Sequence, residues 1–437
     1  MPLRVAEADD RAVGHAVPPT LVALVLLLTI ITPSMALMQG AGSMALGVFA
    51  VSLGHIFIML ALPWRDASWG GTNRSIRFLS SVFAMLLASG GISLMIYAES
   101  DANRLLGSLF LFITFGIACI SMARSANFLS ERSFVWAVRA VFYILILAGV
   151  MGALHISPFS SIHLKAVLFF VEPSHYALSL LPFLLFMTLS ARPQRRIIWV
   201  VVGLAMALSV ENLSLMTGAL IVALIVLEMR YLLLFSPFAL IAAIFISLDY
   251  YASRLDFSET STNFSALVFL GGWERAYLAF RDTHGIGLGF QQFGVHGDQG
   301  TFSKIILRLL GSRLNVLDGG TVGAKFVGEF GAVGVLLVLV YLIAFIRTAL
   351  WVRRMDTTRI DKRDLFFLCC FLMFSVDIFV RGVAYFSASG QLFLASLLWL
   401  LYRRAELFGT TGATARSPRR LTPQPPHPMP RGASVAR

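Results

Sequence analysis

The feature that most constrains this chain is a series of apolar runs, each long enough to cross the hydrocarbon layer of a bilayer. A helix of about 20 apolar residues spans the roughly 30 Å of that layer, where only helices and closed barrels satisfy their own backbone hydrogen bonds. The runs predict an all-α polytopic membrane protein with about twelve transmembrane helices. They cover residues 20–38, 44–62, 78–97, 105–122, 135–154, 167–189, 197–210, 214–229, 231–248, 323–346, 365–386 and 388–402.

Composition agrees with a membrane protein and argues against nucleic acid as a partner. Only 13% of the 437 residues are charged, whereas soluble domains carry about 25%. The formal net charge of +12 would suggest nucleic-acid binding in a soluble protein, but the basic residues lie between apolar runs, as they do in cytoplasmic loops. The three cysteines lie within apolar runs and have no disulfide or metal-ligand spacing.

The distribution of basic residues predicts the orientation. If the N-terminal segment 1–19 is cytoplasmic, every cytoplasmic loop carries arginine and each short outer loop carries at most one basic residue, so both termini are cytoplasmic. The first nine helices then lie within 20–248 and the last three within 323–402. Residues 249–322 form one long outer segment, and 403–437 form a disordered basic cytoplasmic tail.

Ionisable residues near the membrane concentrate at the outer face, although each costs about 2.5–3.5 kcal/mol at membrane depth. Glu172, His175 and Tyr176 open the sixth helix; they mark either a helix start with a dipole-matched acid or a functional site. Asp377 and Arg381 lie four residues apart, which predicts that they share one helical face. They form either a neutral pair or a site in which the arginine is free for an anionic ligand.

The long outer segment combines aromatic residues, arginines and glycines. Trp273, Tyr277 and Phe280 share one side of a predicted interfacial helix, where aromatic rings act as membrane anchors, and Arg275 and Arg281 project elsewhere. The glycine-rich stretch that follows does not match a dinucleotide-binding fingerprint. Its backbone could cradle phosphate oxygens beside the arginines, or it could form a plain turn.

Lys325 and Glu329 lie four residues apart at the start of the tenth predicted helix. This spacing predicts a surface ion pair, followed by glycines that permit close helix packing. The outer histidines show no ligand spacing, and no outer Asp-x-Asp motif occurs. We therefore expect no metal site.

Three stretches together resemble a known family. In chain order they read EPSHYAL, WERAYLAFRDTHGIGLGF and KFVGEFGAVGVLLVLVYL, and they resemble the bacterial O-antigen ligase/polymerase superfamily, most closely its exopolysaccharide polymerase branch. Helix order and loop placement match over about residues 20–402. The family has an arginine, an aromatic helix and a G-x-G element before a helix that opens with Glu-x-Gly. Arg275, Gly287 and Gly289 match the first part, and Glu329 with Gly331 matches the second.

The resemblance implies transfer of glycan from an undecaprenyl-diphosphate-linked oligosaccharide at the periplasmic face of the bacterial inner membrane. It implies no metal, no nucleotide sugar and no other cofactor, and a helical bundle like that of membrane glycosyltransferases with lipid-linked donors. Ligases carry His-Asn before the Glu-x-Gly helix, where this chain has Leu317-Asp318-Gly319. The missing histidine favours polymerisation over ligation. A chain-length regulator or export proteins are candidate partners.

The chemistry of such a transfer suggests roles for individual residues. A diphosphate already departs well, so the enzyme mainly holds its negative charge and positions the acceptor hydroxyl, which arginine forks do without a metal. A general base would take the proton of the attacking hydroxyl. We assign Arg275, Arg281, Arg381 and Lys325 to the diphosphate, Glu172, His175 or Asp318 (in that order) to the base, and Tyr176, Glu329 and Asp377 to support.

Other classes of protein remain open. A transporter or flippase also suits twelve helices, but transporters usually show related halves and polar breaks near the midplane, whereas polarity here lies at one surface. A glycosyltransferase with a monophosphate donor commonly has acids in its first outer loop, and 39–43 has none. An O-antigen ligase and a purely structural membrane subunit are the remaining alternatives.

Overall fold

The computed structural model of the protein describes most of the chain, and within the described part all regular secondary structure is helical. The described residues are 18–61, 69–156, 166–228, 230–231, 263–312 and 314–413. Numbered in chain order, the helices are α1 (Pro19–Met38), α2 (Ala45–Ala61), α3 (Trp69–Ile96), α4 (Ala102–Phe128), α5 (Glu131–Ala153), α6 (Pro173–Ser190), α7 (Arg196–Ser209), α8 (Leu213–Val226), α9 (Phe264–Asp282), α10 (Gly300–Leu310), α11 (Val322–Arg354), α12 (Lys362–Met373), α13 (Ser375–Phe379) and α14 (Ala388–Ala413).

Five of the described helices are long and apolar enough to cross a membrane. They are α1, most of α3, α4, α5 and α11, and shorter apolar helices lie within α2, α8 and α14. The predicted helical membrane architecture is therefore confirmed, while the number of twelve spans stays a prediction. Several predicted parts lie outside the described residues: the N-terminal segment up to residue 17, the ninth helix from 232, the outer segment up to 262 and the tail beyond 413.

Two predicted boundaries are wrong near the C-terminus. The predicted helix 365–386 is broken into α12 and α13, and the chain is not helical again until α14 begins at Ala388. The tail predicted from 403 begins as helix, because α14 continues to Ala413. Arg403 Nε lies 2.9 Å from Asp364 Oδ1 and Arg403 Nη2 lies 3.2 Å from Asp361 Oδ2. These ion pairs fasten that turn of α14 to the start of α12.

Helix α6 forms the centre of the bundle. Every residue from 174 to 189 is buried, and α5, α7, α8, α12 and α14 pack around it. A helix that is apolar on most sides lies either in a protein core or against lipid, and here other helices cover α6. The rings of Phe183 and Phe186 meet Phe366 of α12 edge to face, with centroids 5.2 Å and 5.7 Å apart.

The bundle has two chemically different ends. At the basic end, Arg196 Nη2 donates to Thr357 Oγ1 at 2.8 Å and Thr357 donates to the carbonyl of Leu189, the last turn of α6. Arg363 Nη1 donates to the carbonyl of Leu129 there at 3.0 Å. At the opposite end, the loop-rich end, α6 begins beside the loops that precede α4, α10, α11 and α14.

Helix α11 is sharply kinked at Gly331, whose φ of 55° and ψ of −126° are not helical. Helix kinks need an identifiable cause, and here the stretch 285–289 inserts against the break. It takes over hydrogen bonds that the helix cannot make for itself. These run from Leu288 N to Gly328 O (2.9 Å), from Gly289 N to Glu329 O (2.9 Å) and from Ala332 N to Gly285 O (2.7 Å).

We expect Gly331→Ala to destabilise the protein strongly. Its positive φ strains any other residue, and a Cβ there would overlap the backbone of Gly285, which together cost about 2 kcal/mol or more. The apparent melting temperature of the detergent-solubilised protein should fall. Gly107→Ala is the matched control, because it meets open space on α4; equal melting temperatures for the two variants would contradict the expectation.

Candidate functional site

A buried lysine organises the loop-rich end. Lys325, in the first turns of α11, is 1% exposed, and its Nζ lies 3.5 Å from Asp318 Oδ1 and 4.0 Å from Glu329 Oε1. It also lies 3.3 Å from Gln291 Oε1 and 4.9 Å from the centre of the Tyr385 ring. We call these five residues the Lys325 cluster.

Local structure explains how the Lys325 cluster forms. Thr321 caps α11 by accepting the N–H of Ala324 at 3.1 Å, which starts the helix one turn before Lys325. Glu329 follows one turn later and is also fully buried, so the predicted surface pair is in fact an interior one. Tyr385 donates its hydroxyl to Glu329 Oε2 at 2.8 Å. This hydrogen bond offsets part of the cost of burying the carboxyl group.

A second ion pair lies at the start of α6. Arg381 Nη2 is 3.3 Å from Glu172 Oε2, with the arginine 19% and the glutamate 46% exposed, and Ser174 also donates to Glu172 at 3.0 Å. Burial opposes ionisation of Glu172, but the charges of Arg381 and His175 and these hydrogen bonds hold its pKa below the ordinary value. Glu172 is therefore an ionised, partly exposed carboxylate.

His175 lies behind this pair rather than in front of it. It is buried, and its Nδ1 lies 3.5 Å from Ser34 Oγ of α1. The same hydroxyl accepts the backbone N–H of Val171 at 2.9 Å. The histidine thus packs the start of α6 against α1, whereas Glu172 and Asp318, at 46% and 41% exposure, reach the surface.

One segment connects the Glu172–Arg381 ion pair with the Lys325 cluster. Residues 380–387 run between α13 and α14, with Arg381 reaching Glu172 and Tyr385 reaching Glu329. The N–H of Gly382 donates to the carbonyl of Gly320 at 2.9 Å, which fixes the segment against the start of α11. The ion pair and the Lys325 cluster are therefore neighbours.

The prediction that Asp377 and Arg381 share one helical face is wrong. Helix α13 ends at Phe379, so the two residues do not share a helical face, and Arg381 turns to Glu172 instead. Asp377 is buried and accepts the hydroxyl of Ser389 at 2.7 Å.

Tyr176 follows His175 and is buried, and its backbone N–H donates to the carbonyl of Glu172 at 3.4 Å. Its ring meets Phe170 edge to face with centroids 5.7 Å apart. Its hydroxyl has no hydrogen-bond partner among the described residues. The supporting role of the Tyr176 side chain stays a prediction.

Arg275 is a buried structural cation. It donates from Nε to the carbonyl of Gly271 at 3.1 Å and from Nη1 to the carbonyl of Val316, and it covers the ring of Phe293 at 4.7 Å. Burial lowers its pKa to about 10, despite the opposing charges of Glu274 and Asp318, so it is protonated at neutral pH. Arg275 thus holds the segment that carries Asp318, and its predicted contact with diphosphate stays a prediction.

Arg281 lies apart from the site. It is exposed at the end of α9, and its Nε pairs with Asp282 Oδ1 at 2.7 Å. Among the described residues it makes no hydrogen bond or ion pair with the Lys325 cluster or with Glu172. The structure therefore does not bring all four predicted diphosphate ligands together. Lys325 and Arg381 lie on adjoining segments, Arg275 reaches the same end through Val316, and Arg281 lies apart.

The glycine-rich stretch is a structural insert and not a phosphate cradle. All five backbone N–H groups from 285 to 289 already donate within the protein, so none is available to an anion. Their acceptors, in order, are Phe280 O (2.7 Å), Thr283 O (3.1 Å), Thr283 Oγ1 (2.8 Å), Gly328 O (2.9 Å) and Glu329 O (2.9 Å).

Sequence reasoning missed three residues of this site. Arg104, at the start of α4, donates from Nη2 to the carbonyl of Leu317 at 3.2 Å. It is the only basic residue of the predicted loop 98–104, a signal that could have found it. Gln291 and Tyr385 carry no such signal, because their partners lie 34 and 56 residues away along the chain.

Comparison with known proteins gives no further identification. No protein-family model matches the chain, and no curated protein or solved structure matches it. Within the described residues, no group of three or more His, Cys, Asp or Glu could hold a metal ion. Function is therefore inferred from the geometry at the loop-rich end.

We expect Arg275→Ala to destabilise the whole protein. The substitution leaves the part-buried carbonyl of Val316 without its donor and opens a void over Phe293, which together cost about 2–4 kcal/mol. Thermal denaturation of the purified protein should show a clear drop in apparent melting temperature. Arg281→Ala is the control and should melt like the wild type; an unchanged melting temperature for Arg275→Ala would show that the arginine does not hold this segment.

Proposed function

We propose that the protein is a membrane glycosyltransferase that polymerises undecaprenyl-diphosphate-linked oligosaccharide repeat units into an exopolysaccharide or O-antigen-like polysaccharide. The observation that carries this proposal is the meeting of the Glu172–Arg381 ion pair and the Lys325 cluster at one end of a bundle of apolar helices. Charged groups at such a place are costly and typically functional. The resemblance of the three sequence stretches to the polymerase branch supports the same activity.

The two ends of the bundle support an orientation in the membrane. Arg196, Arg363 and Arg403 cluster at the basic end, and basic residues favour the cytoplasmic side. The loop-rich end then faces the periplasm of a bacterial inner membrane, with twelve spans and both termini in the cytoplasm. This orientation places the site where exported lipid-linked repeat units arrive.

Arg381 is the residue best placed to contact the diphosphate of the donor. It is part-exposed, whereas Lys325 is enclosed, and its planar fork can pass from the carboxylate of Glu172 to phosphate oxygens. Lys325 adds a fixed positive charge inside the bundle. The low dielectric of its surroundings strengthens its attraction for the diphosphate. Neither group needs a metal to hold the departing negative charge.

The transfer itself requires a base beside the acceptor. The oxygen of an acceptor hydroxyl bonds to the anomeric carbon of the donor, the bond from that carbon to the diphosphate breaks, and undecaprenyl diphosphate leaves. The hydroxyl proton passes to a carboxylate. Glu172 and Asp318 fit this role because both are part-exposed, whereas His175 is enclosed behind Ser34.

The test is deletion of the gene in its host, with mass spectrometry of extracted lipid-linked glycans and complementation by variants. We expect single repeat units to accumulate on undecaprenyl diphosphate and polymer to disappear. Arg381→Ala should reduce polymer about a hundredfold or more at equal protein level, because it removes a charge-stabilising donor. Arg359→Ala, an exposed arginine paired with Asp356 beyond the end of α11, should restore polymer fully.

Three outcomes would overturn the proposal. Normal polymer in the deletion strain would remove the activity altogether. Repeat units trapped on the cytoplasmic leaflet would indicate transport, and full-length polymer that is not attached to its final acceptor would indicate ligation.

A further inference from the structure

A buried acceptor in the Lys325 cluster and a buried donor of Arg104 have no hydrogen-bond partner among the described residues. Glu329 Oε1 is buried without a hydrogen bond, although Oε2 of the same carboxylate is bonded to Tyr385. Arg104 Nη1 is also buried without a hydrogen bond, although its Nη2 is bonded. Unmet buried polar atoms are costly, about 1–3 kcal/mol each, and each one calls for an explanation.

Glu329 Oε1 and Arg104 Nη1 lie in the same part of the protein. Arg104 reaches the carbonyl of Leu317, and the next residue, Asp318, pairs with Lys325. The side-chain amide of Gln292 fixes α4 in this place by exchanging two hydrogen bonds with the backbone of Asp101, at 2.9 Å and 3.0 Å. Arg104 also interacts electrostatically with both Glu329 and Tyr385.

The polar contacts of Lys325 are long. Its Nζ stands 3.3 Å from Gln291, 3.5 Å from Asp318 and 4.0 Å from Glu329 Oε1, whereas charge-assisted hydrogen bonds are usually about 2.7–2.9 Å. Long hydrogen bonds in an unliganded site often tighten when a substrate group enters. The spacing indicates that the ammonium group shares its donors with a further group.

The acceptor on Glu329 and the donor on Arg104 together decide which kind of ligand group fits beside Lys325. A phosphate oxygen could accept from Arg104, but it would face the carboxylate of Glu329 with like charge and no proton. A cation could approach Glu329, but Lys325 and Arg104 would repel it. A hydroxyl group satisfies both, because it donates one hydrogen bond and accepts others.

Aromatic rings flank the same place. The ring of Tyr385 stacks on Phe290 with centroids 6.0 Å apart and an angle of 14°, and it meets Phe326 at 5.0 Å. Tyr385 and Phe326 are only half-buried. Apolar rings around a few converging polar groups are typical of small-molecule sites, and they offer a surface for the C–H face of a sugar ring.

We propose that Arg104, Lys325 and Glu329 bind a hydroxyl group of the acceptor sugar. The hydroxyl donates to Glu329 Oε1 and accepts from Arg104 or Lys325, while Tyr385 keeps Oε2 occupied so that only Oε1 faces the ligand. Asp318, at 41% exposure, is the residue of the Lys325 cluster that reaches the surface. This proposal rests on the proposed polymerase function, and it places the acceptor beside the Glu172–Arg381 pair.

Binding of two separate probes to the purified full-length protein tests this site. The probes are the repeat-unit oligosaccharide released from the host polysaccharide, which has no phosphate, and undecaprenyl diphosphate without sugar. We expect Arg104→Gln and Glu329→Gln each to raise the dissociation constant of the oligosaccharide about tenfold or more, because each removes a charge-assisted hydrogen bond. Arg104→Gln should leave the dissociation constant of undecaprenyl diphosphate unchanged.

Further variants keep the test independent of folding. Arg104 lies in the part-exposed first turn of α4, so its substitution spares the core, and Tyr385→Phe removes only the hydroxyl that orients Glu329. That variant should weaken oligosaccharide binding by a smaller factor. Arg359→Gln, at an exposed arginine that pairs with Asp356 beyond the end of α11, should bind both probes like the wild type.

Two kinds of result would contradict the acceptor site. Oligosaccharide binding that is absent in the wild type, or unchanged in both Arg104→Gln and Glu329→Gln, would mean that ordered water alone fills the place. Weaker binding of undecaprenyl diphosphate with unchanged oligosaccharide binding would make it an anion site instead. Either result would overturn the acceptor site while the glycan analysis of the deletion strain continued to test polymerisation.

Discussion

The charge of Lys325 is the constraint on which the loop-rich end depends. An ammonium group inside a helical bundle needs partners that replace water, and no single element of this chain can supply them. Asp318 comes from the segment before α11, Glu329 from the next turn of the helix and Gln291 from the loop after α9. The buried charge therefore ties remote parts of the sequence into one site.

The kink in α11 helps to bring the partners of Lys325 together. A straight helix would satisfy the carbonyls of Gly328 and Glu329 internally, but here they accept from the glycine-rich stretch 285–289. Only residues without a Cβ allow the two backbones to approach so closely at Gly287 and Gly331. The loop that carries Gln291 is thereby brought to Lys325.

The sequence predicts the fold class well, because apolar length and loop charge are local properties that the membrane itself imposes. It also predicts the proximity of Lys325 and Glu329, since that contact follows from helical spacing. It does not predict that Arg381 pairs with Glu172, because that depends on where α13 ends. Nor does it predict that Arg275 holds the carbonyl of Val316, since 41 residues separate the two.

The kink at Gly331 also divides α11 into two parts, a short head before the kink and a long shaft after it. The short head of α11, with Lys325 and Glu329, and the first residue of the long shaft, Ala332, are bonded to the 285–289 stretch. The helix as a whole is long and apolar enough to cross a membrane. Transmembrane helices adapt to bilayers of different thickness by tilting. We expect the shaft to tilt about this break while the 285–289 stretch holds the head, so that the geometry of the charged residues depends little on the thickness of the surrounding lipid.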